Sequence, residues 1–118
     1  ELPWWFSSVK IIACMSQDIP QWREQAMPYV ACEAIACGAI AIVSDGGSIP
    51  FWHNRFAGVN PGAVVVPQRD YVLLRQTITT LLADESQRQA ISNAGRAWVT
   101  EHLSSPVIAV RLLDLLLK

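Results

Sequence analysis

The sequence predicts an α/β fold, a small parallel sheet of about three strands flanked by helices. Three observations carry this. Ala39 to Val43 is a short, wholly apolar run, as expected of a strand covered on both faces. Strand-like and helix-like stretches alternate with short connections. Glycine and proline mark the boundaries, as at Gly38, Gly46-Gly47 and Pro61-Gly62.

In chain order, Leu2 to Ser8 (LPWWFSS) reads as a short helix with Pro3 in its first turn. Val9 to Met15 (VKIIACM) is an apolar, β-branched strand. Ser16 to Glu24 holds Asp18, Pro20, Gln21 and Arg23 and reads as a loop, longer than most connections, in which Trp22 either covers the core edge or meets a ligand. Pro28 suits the first position of a helix that Gly38 closes by entering the left-handed region. The run Ala39 to Val43 follows, then the turn Ser44-Asp45-Gly46-Gly47. Ile49 to Arg55 suggests one helical turn, and Ala63 to Val66 a third strand. Asp70 is an N-cap for a helix running to Ala83, with Tyr71, Leu74, Ile78, Leu81 and Leu82 on one face. A further helix starts at Asp84 to Ser86 and reaches about Leu103, with the apolar stripe Ile91, Ala94, Trp98 and Val99. Ser104-Ser105-Pro106 opens a last helix ending at Lys118.

The 118 residues form one small domain, long enough for a single core, and no internal repeat is visible. Apolar residues make up 52% and charged residues 16%, which excludes a disordered chain. A net charge of −1 offers no electrostatic basis for nucleic acid or an anionic membrane. No apolar run approaches the roughly 18 residues that span a bilayer. Cys14, Cys32 and Cys37 sit in apolar segments without CxxC spacing, so they read as reduced core thiols of a cytoplasmic protein. His53 and His102 have no companion at catalytic or metal-ligand spacing, so no metal or other cofactor is expected. The absence of an initiator Met suggests a processed product or a fragment.

The stretch Gln25 to Gly47, QAMPYVACEAIACGAIAIVSDGG, carries the candidate chemistry. A helix N-terminus at Met27 to Val30, with Pro28 and Tyr29 between, presents unpaired N–H groups and partial positive charge suited to a diphosphate. Glu33, among small and apolar neighbours, lies five residues beyond Pro28, about 7–8 Å along the axis. That offset suits a carboxylate accepting hydrogen bonds from a ribose diol, or equally a helix-edge glutamate reaching solvent. Ser44, Asp45, Gly46 and Gly47 stand at the carboxyl end of a buried strand, where open α/β sheets bind ligands. A turn-stabilising role for Asp45 explains the same residues.

The same segment resembles the ligand-binding signature of the retaining, two-Rossmann-domain (GT-B) glycosyltransferases of family 4, also called group 1. The resemblance rests on Gln25-Ala26-Met27-Pro28, Glu33-Ala34-Ile35-Ala36-Cys37-Gly38, Ser44-Asp45-Gly46-Gly47 and Ile49-Pro50. It extends loosely through Val65-Val66-Pro67, Asp70 and Ala94-Gly95-Arg96. It implies that residues 1–118 are the back half of the C-terminal, nucleotide-sugar-binding domain, a partial Rossmann-like unit. The implied ligand is a nucleotide-diphosphate sugar of UDP or GDP type, passing its sugar with retention to an unknown acceptor. Glu33 then meets the ribose, and Gln25 holds the donor-sugar position where the family carries a catalytic glutamate. Phe51 replaces the glutamate that usually follows Ile-Pro.

These two departures, and the absent front half with its basic pair for the diphosphate, imply that the 118-residue chain alone is inactive. A non-catalytic, nucleotide-binding or oligomerising relic remains open beside the transferase fragment, as does an unrelated α/β domain. The last helix is apolar around most of its circumference, with Arg111, Asp114 and Lys118 as its narrow polar stripe. It therefore anticipates a partner, either another copy of the chain or a missing N-terminal domain.

Overall fold

All five residues of the central strand are buried, and that burial organises the domain. The computed structural model describes residues 2–21, 29–47 and 61–118. Within them the order is α1 (Leu2–Ser8), β1 (Ile11–Cys14), α2 (Tyr29–Ala36), β2 (Ile40–Ser44), β3 (Ala63–Val66), α3 (Tyr71–Ala83), α4 (Glu85–Leu103) and α5 (Ser105–Leu116). The strands pair in parallel in the order β1-β2-β3. Ile11 to Cys14 run beside Ile40 to Val43, and Ala41 to Ser44 beside Ala63 to Val66.

The pleat of β2 divides the core. Ala41 and Val43 join Ala31, Ile35, Ala63 and Val99 in one cluster. Ile40 and Ile42 join Val66 and Leu81, with Leu74, Ile78 and Ile91 packed against them, in another. Alternate side chains point to opposite faces, so one apolar strand supplies both layers. A third cluster seats Phe6 of α1 on Ala34 and Ala39.

Local chemistry sets the helix ends. Gly38 closes α2 with φ of 96°, a conformation natural to glycine, and Ser92 Oγ donates to its carbonyl at 2.6 Å. Asp70 caps α3 by accepting from Leu73 N at 2.9 Å, and Asp84 caps α4 by accepting from Gln87 N at the same distance. Arg88 Nη1 donates to the Leu81 and Leu82 carbonyls, both at 2.7 Å, so the corner between α3 and α4 is closed from both sides.

Element boundaries follow the sequence expectation within one to three residues. Side-chain placement differs more. Tyr71 and Leu82 of α3 are exposed, leaving Leu74, Ile78 and Leu81 as its inward face. On α4, Ala94 is exposed and Gly95 is buried. A Cβ on Gly95 would meet Gly62 Cα at 2.5 Å and Ile35 Cγ2 at 3.0 Å, so contact with the turn before β3 requires hydrogen there. The stripe thus runs through a glycine that hydrophobic patterning passes over. The anticipated helical turn at Ile49 to Arg55 lies outside the described residues. No residue of α5 is buried; its large apolar residues from Ile108 to Leu116 stand exposed, as does Leu117 just beyond it at 83%. Among the described residues, no helix is long and apolar enough to cross a membrane.

Gly95→Ala is expected to destabilise the domain by about 1–3 kcal/mol, the range for forcing a methyl into a filled contact. Denaturant unfolding measures it; an unchanged midpoint would mean that α4 can move away from Gly62 freely.

Candidate functional site

In β1-α2-β2 the helix returns the chain from the carboxyl end of one strand to the amino end of the next. The start of α2 therefore stands at the edge where β1, β2 and β3 end. Ala31, Ala34 and Ile35 bury one side of the helix, which turns Tyr29 and Glu33 outward. Tyr29 is 85% exposed. Glu33 lies one turn beyond it, about 6 Å along the axis. Its carboxylate is exposed and makes no side-chain hydrogen bond or salt bridge among the described residues. Next to it, burial raises the Cys32 thiol above its usual range, helped by the Glu33 charge and then by Cys14. The thiolate is thereby disfavoured, so Cys32 behaves as packing. None of Cys14, Cys32 and Cys37 is in a disulfide.

The turn after β2 is held from beneath. Ser44 is wholly buried, and its hydroxyl donates a short hydrogen bond to the Ser16 carbonyl in the loop after β1. Asp45 is half-buried; its Oδ1 accepts from Gln68 N at 2.7 Å, and its own N–H donates to the Val66 carbonyl at 3.2 Å. Gly46 is buried, and a Cβ there would sit 3.1 Å from the Ser16 carbonyl oxygen. Gly47 is exposed with φ of 53°. Of the candidate ligand residues, Tyr29, Glu33 and Gly47 face solvent, while Ser44, Asp45 and Gly46 assemble the turn. Gln25, Met27 and Pro28 lie outside the described residues, as do Trp22, Phe51 and His53.

Sequence reasoning missed Gln68 and Arg69, which follow β3 and reach across to the loop after β1. Gln68 Oε1 accepts from Asp18 N at 2.7 Å, and Gln68 Nε2 donates to Asp18 Oδ2 at 3.3 Å. Arg69 Nη2 donates to the Asp18 carbonyl at 3.4 Å, and Gln17 Nε2 to Tyr71 Oη at 2.9 Å. Asp18 Oδ1 is buried and has no hydrogen-bond partner among the described residues. A polar pair set just after a strand is the only local signal for these residues, and it does not reveal which loop they meet.

His102 is accounted for by packing, stacked on Trp98 at 4.6 Å with its Nδ1 donating to the Trp98 carbonyl at 2.9 Å. A cavity of about 260 Å³ lined by Ser7, Lys10, Gly38, Arg88 and Ser92 opens at the amino end of the sheet. No candidate ligand residue lines it. Among the described residues, no group of three or more His, Cys, Asp or Glu side chains is placed to hold a metal ion.

The fold recurs in a solved structure. Sucrose-phosphate synthase from Thermosynechococcus elongatus matches 94% of this chain with a TM-score of 0.74 and 24% identity. The chain spans 25% of that protein's length. The three parallel strands with their helices are thus a partial Rossmann-like unit of the kind found there. No family model and no curated protein matches the sequence.

Ser44→Ala removes the hydroxyl that donates to the Ser16 carbonyl and is expected to cost about 0.5–1.5 kcal/mol of stability, the net worth of one hydrogen bond. Thermal unfolding of the two proteins measures the difference; equal midpoints would remove the strut role of Ser44.

Proposed function

We propose that this chain is the nucleotide-binding part of a retaining glycosyltransferase, taking a nucleotide-diphosphate sugar of UDP or GDP type at the carboxyl edge of its sheet. The observation that carries the reading is Glu33, an exposed carboxylate without a partner among the described residues, one turn inside a helix that begins at this edge. The resemblance of Glu33-Ala34-Ile35-Ala36-Cys37-Gly38 to a donor-binding signature supports the same reading, as does the fold shared with sucrose-phosphate synthase.

In this reading the diphosphate lies at the start of α2, where backbone N–H groups and the helix dipole favour negative charge. Glu33 accepts from the ribose 2′- and 3′-hydroxyls, a charge-assisted pair of hydrogen bonds. The turn Ser44 to Gly47 bounds the sugar side. Gln25 offers an amide to the hexose hydroxyls but no charge for an oxocarbenium-like centre. During transfer the acceptor oxygen bonds to the anomeric carbon while the diphosphate leaves with the bonding pair. The acceptor's proton passes to the departing phosphate oxygen. Acceptor binding falls to protein outside this chain. The neutral Gln25 and Phe51 favour a second reading, a nucleotide binder without transfer activity.

The chain is also proposed to bury the apolar face of α5 against a second copy or another domain. Exposed leucines spread over most of a helix are unlike the surface of a lone domain. Sedimentation at micromolar concentration should show association or an accompanying dye-binding apolar surface; a strictly monomeric species that binds no such dye overturns it.

Glu33→Ala is expected to weaken nucleoside diphosphate binding by about 1.5–3 kcal/mol, the worth of a hydrogen bond to a charged group. Calorimetry with UDP and GDP measures this, and 2′,3′-dideoxy analogues should be insensitive to the substitution. Equal weakening for both kinds of ligand would remove the ribose assignment.

A further inference from the structure

The ends of the three strands are joined through one residue. Gln68 stands just beyond β3, yet its backbone N–H holds Asp45 after β2 and its carboxamide holds Asp18 after β1. A carboxamide carries an acceptor and a donor on one plane, so it can pair with the Asp18 N–H and the Asp18 carboxylate together. Leucine would leave both unpaired, and glutamate would set carboxylate against carboxylate. Gly46 packs beside this amide, and a Cβ there would lie 3.7 Å from Gln68 Cδ.

Two features show that the arrangement is held at a cost. Arg69 has φ of 65°, the left-handed conformation that disfavours residues with a Cβ, in a turn closed by Asp70 N donating to the Pro67 carbonyl at 3.2 Å. Asp18 Oδ1 is buried and without a hydrogen-bond partner among the described residues. A link serving stability alone would be built without strain and without an orphaned carboxylate oxygen. Both costs fall on contacts between the β3 turn and the loop that follows β1. That loop leads towards Gln25 and the start of α2.

We propose that Gln68 is a positioning residue: through Asp18 and Asp45 it presets the loops at the sheet's carboxyl edge for a nucleoside diphosphate. The proposal rests on the functional reading above. Gln68 supports the ligand-facing segments without touching the ligand, as outer-shell partners do in other preorganised sites.

The test is calorimetry with UDP and GDP on the 118-residue chain, with thermal melts of the free proteins alongside. Gln68→Ala should weaken binding about ten-fold, the scale on which outer-shell supports act, whatever the pH. Gln68→Glu should bind as weakly at about pH 8 and regain affinity as the pH is lowered to about 5, towards the range in which the introduced carboxyl takes up a proton and becomes a donor. Asp18, Asp45 and Arg69 are the charged groups that meet this position among the described residues, and the recovery must be absent in Gln68→Ala. Asp18→Ala removes the carboxylate that Gln68 Nε2 holds and should weaken binding about as far as Gln68→Ala, which keeps the test open if the Gln68 variants fail to fold. Variants that bind like the wild type overturn the positioning role alone, whereas a wild-type chain binding neither nucleotide overturns the functional reading and this proposal with it.

Discussion

Burial of β2 on both faces and both edges is the constraint on which the other elements depend. Its neighbours β1 and β3 satisfy its backbone polar groups, while α2 and the end of α4 cover one face, and α3 with Ile91 of α4 covers the other. A buried parallel strand needs such cover, since any uncovered side would put apolar side chains into water. The two-residue alternation of Ile40, Ala41, Ile42 and Val43 assigns each helix to its layer. The smaller residues face α2, whose own Ala31 and Ala34 allow the helix to lie close.

From that core the carboxyl edge is built by a different kind of force. Strand pairing ends at Ser44, and beyond it side chains take over from the ladder. Ser44 holds Ser16, Asp45 accepts from Gln68, and Gln68 reaches Asp18. These contacts sit at the edge of a low-dielectric core, where an unmade hydrogen bond is expensive and a made one is directional. The edge is therefore shaped by the chain's own polar contacts. The exposed carboxylate of Glu33 stands apart from this network, as the contact role proposed for it requires.

At the other end of the chain the balance is reversed. α5 contributes no buried residue; its polar Arg111 donates to the His102 carbonyl at 3.4 Å, while its leucines face outward. A helix arranged this way gains little from its own domain. Trp4 and Trp5 of α1 are likewise exposed, packed edge-on to one another at 6.4 Å. The same interior therefore supports two kinds of surface: one set by polar struts, the other left apolar.

The sequence by itself determined the α/β class, the three strands, the caps at Asp70 and Asp84 and the turn at Gly38, because each rests on chemistry within a few residues. Apolar alternation, a carboxylate before a helix and a glycine with positive φ are local facts. It also singled out Glu33, since one charge among alanines and cysteines is visible without a fold. Tertiary structure alone decided that Gly95 rather than Ala94 completes the inward side of α4, because a glycine's value as a contact depends on what comes near it, and Gly62 is 33 residues away in the chain. It likewise decided that Ser44 and Asp45 serve the scaffold and that Gln68 joins three loops. Asp18 and Gln68 are 50 residues apart, and nothing in either segment reveals the other until parallel pairing brings the ends of β1 and β3 to the same edge. Local chemistry writes elements, whereas contacts between distant polar side chains exist only once the sheet has set their spacing.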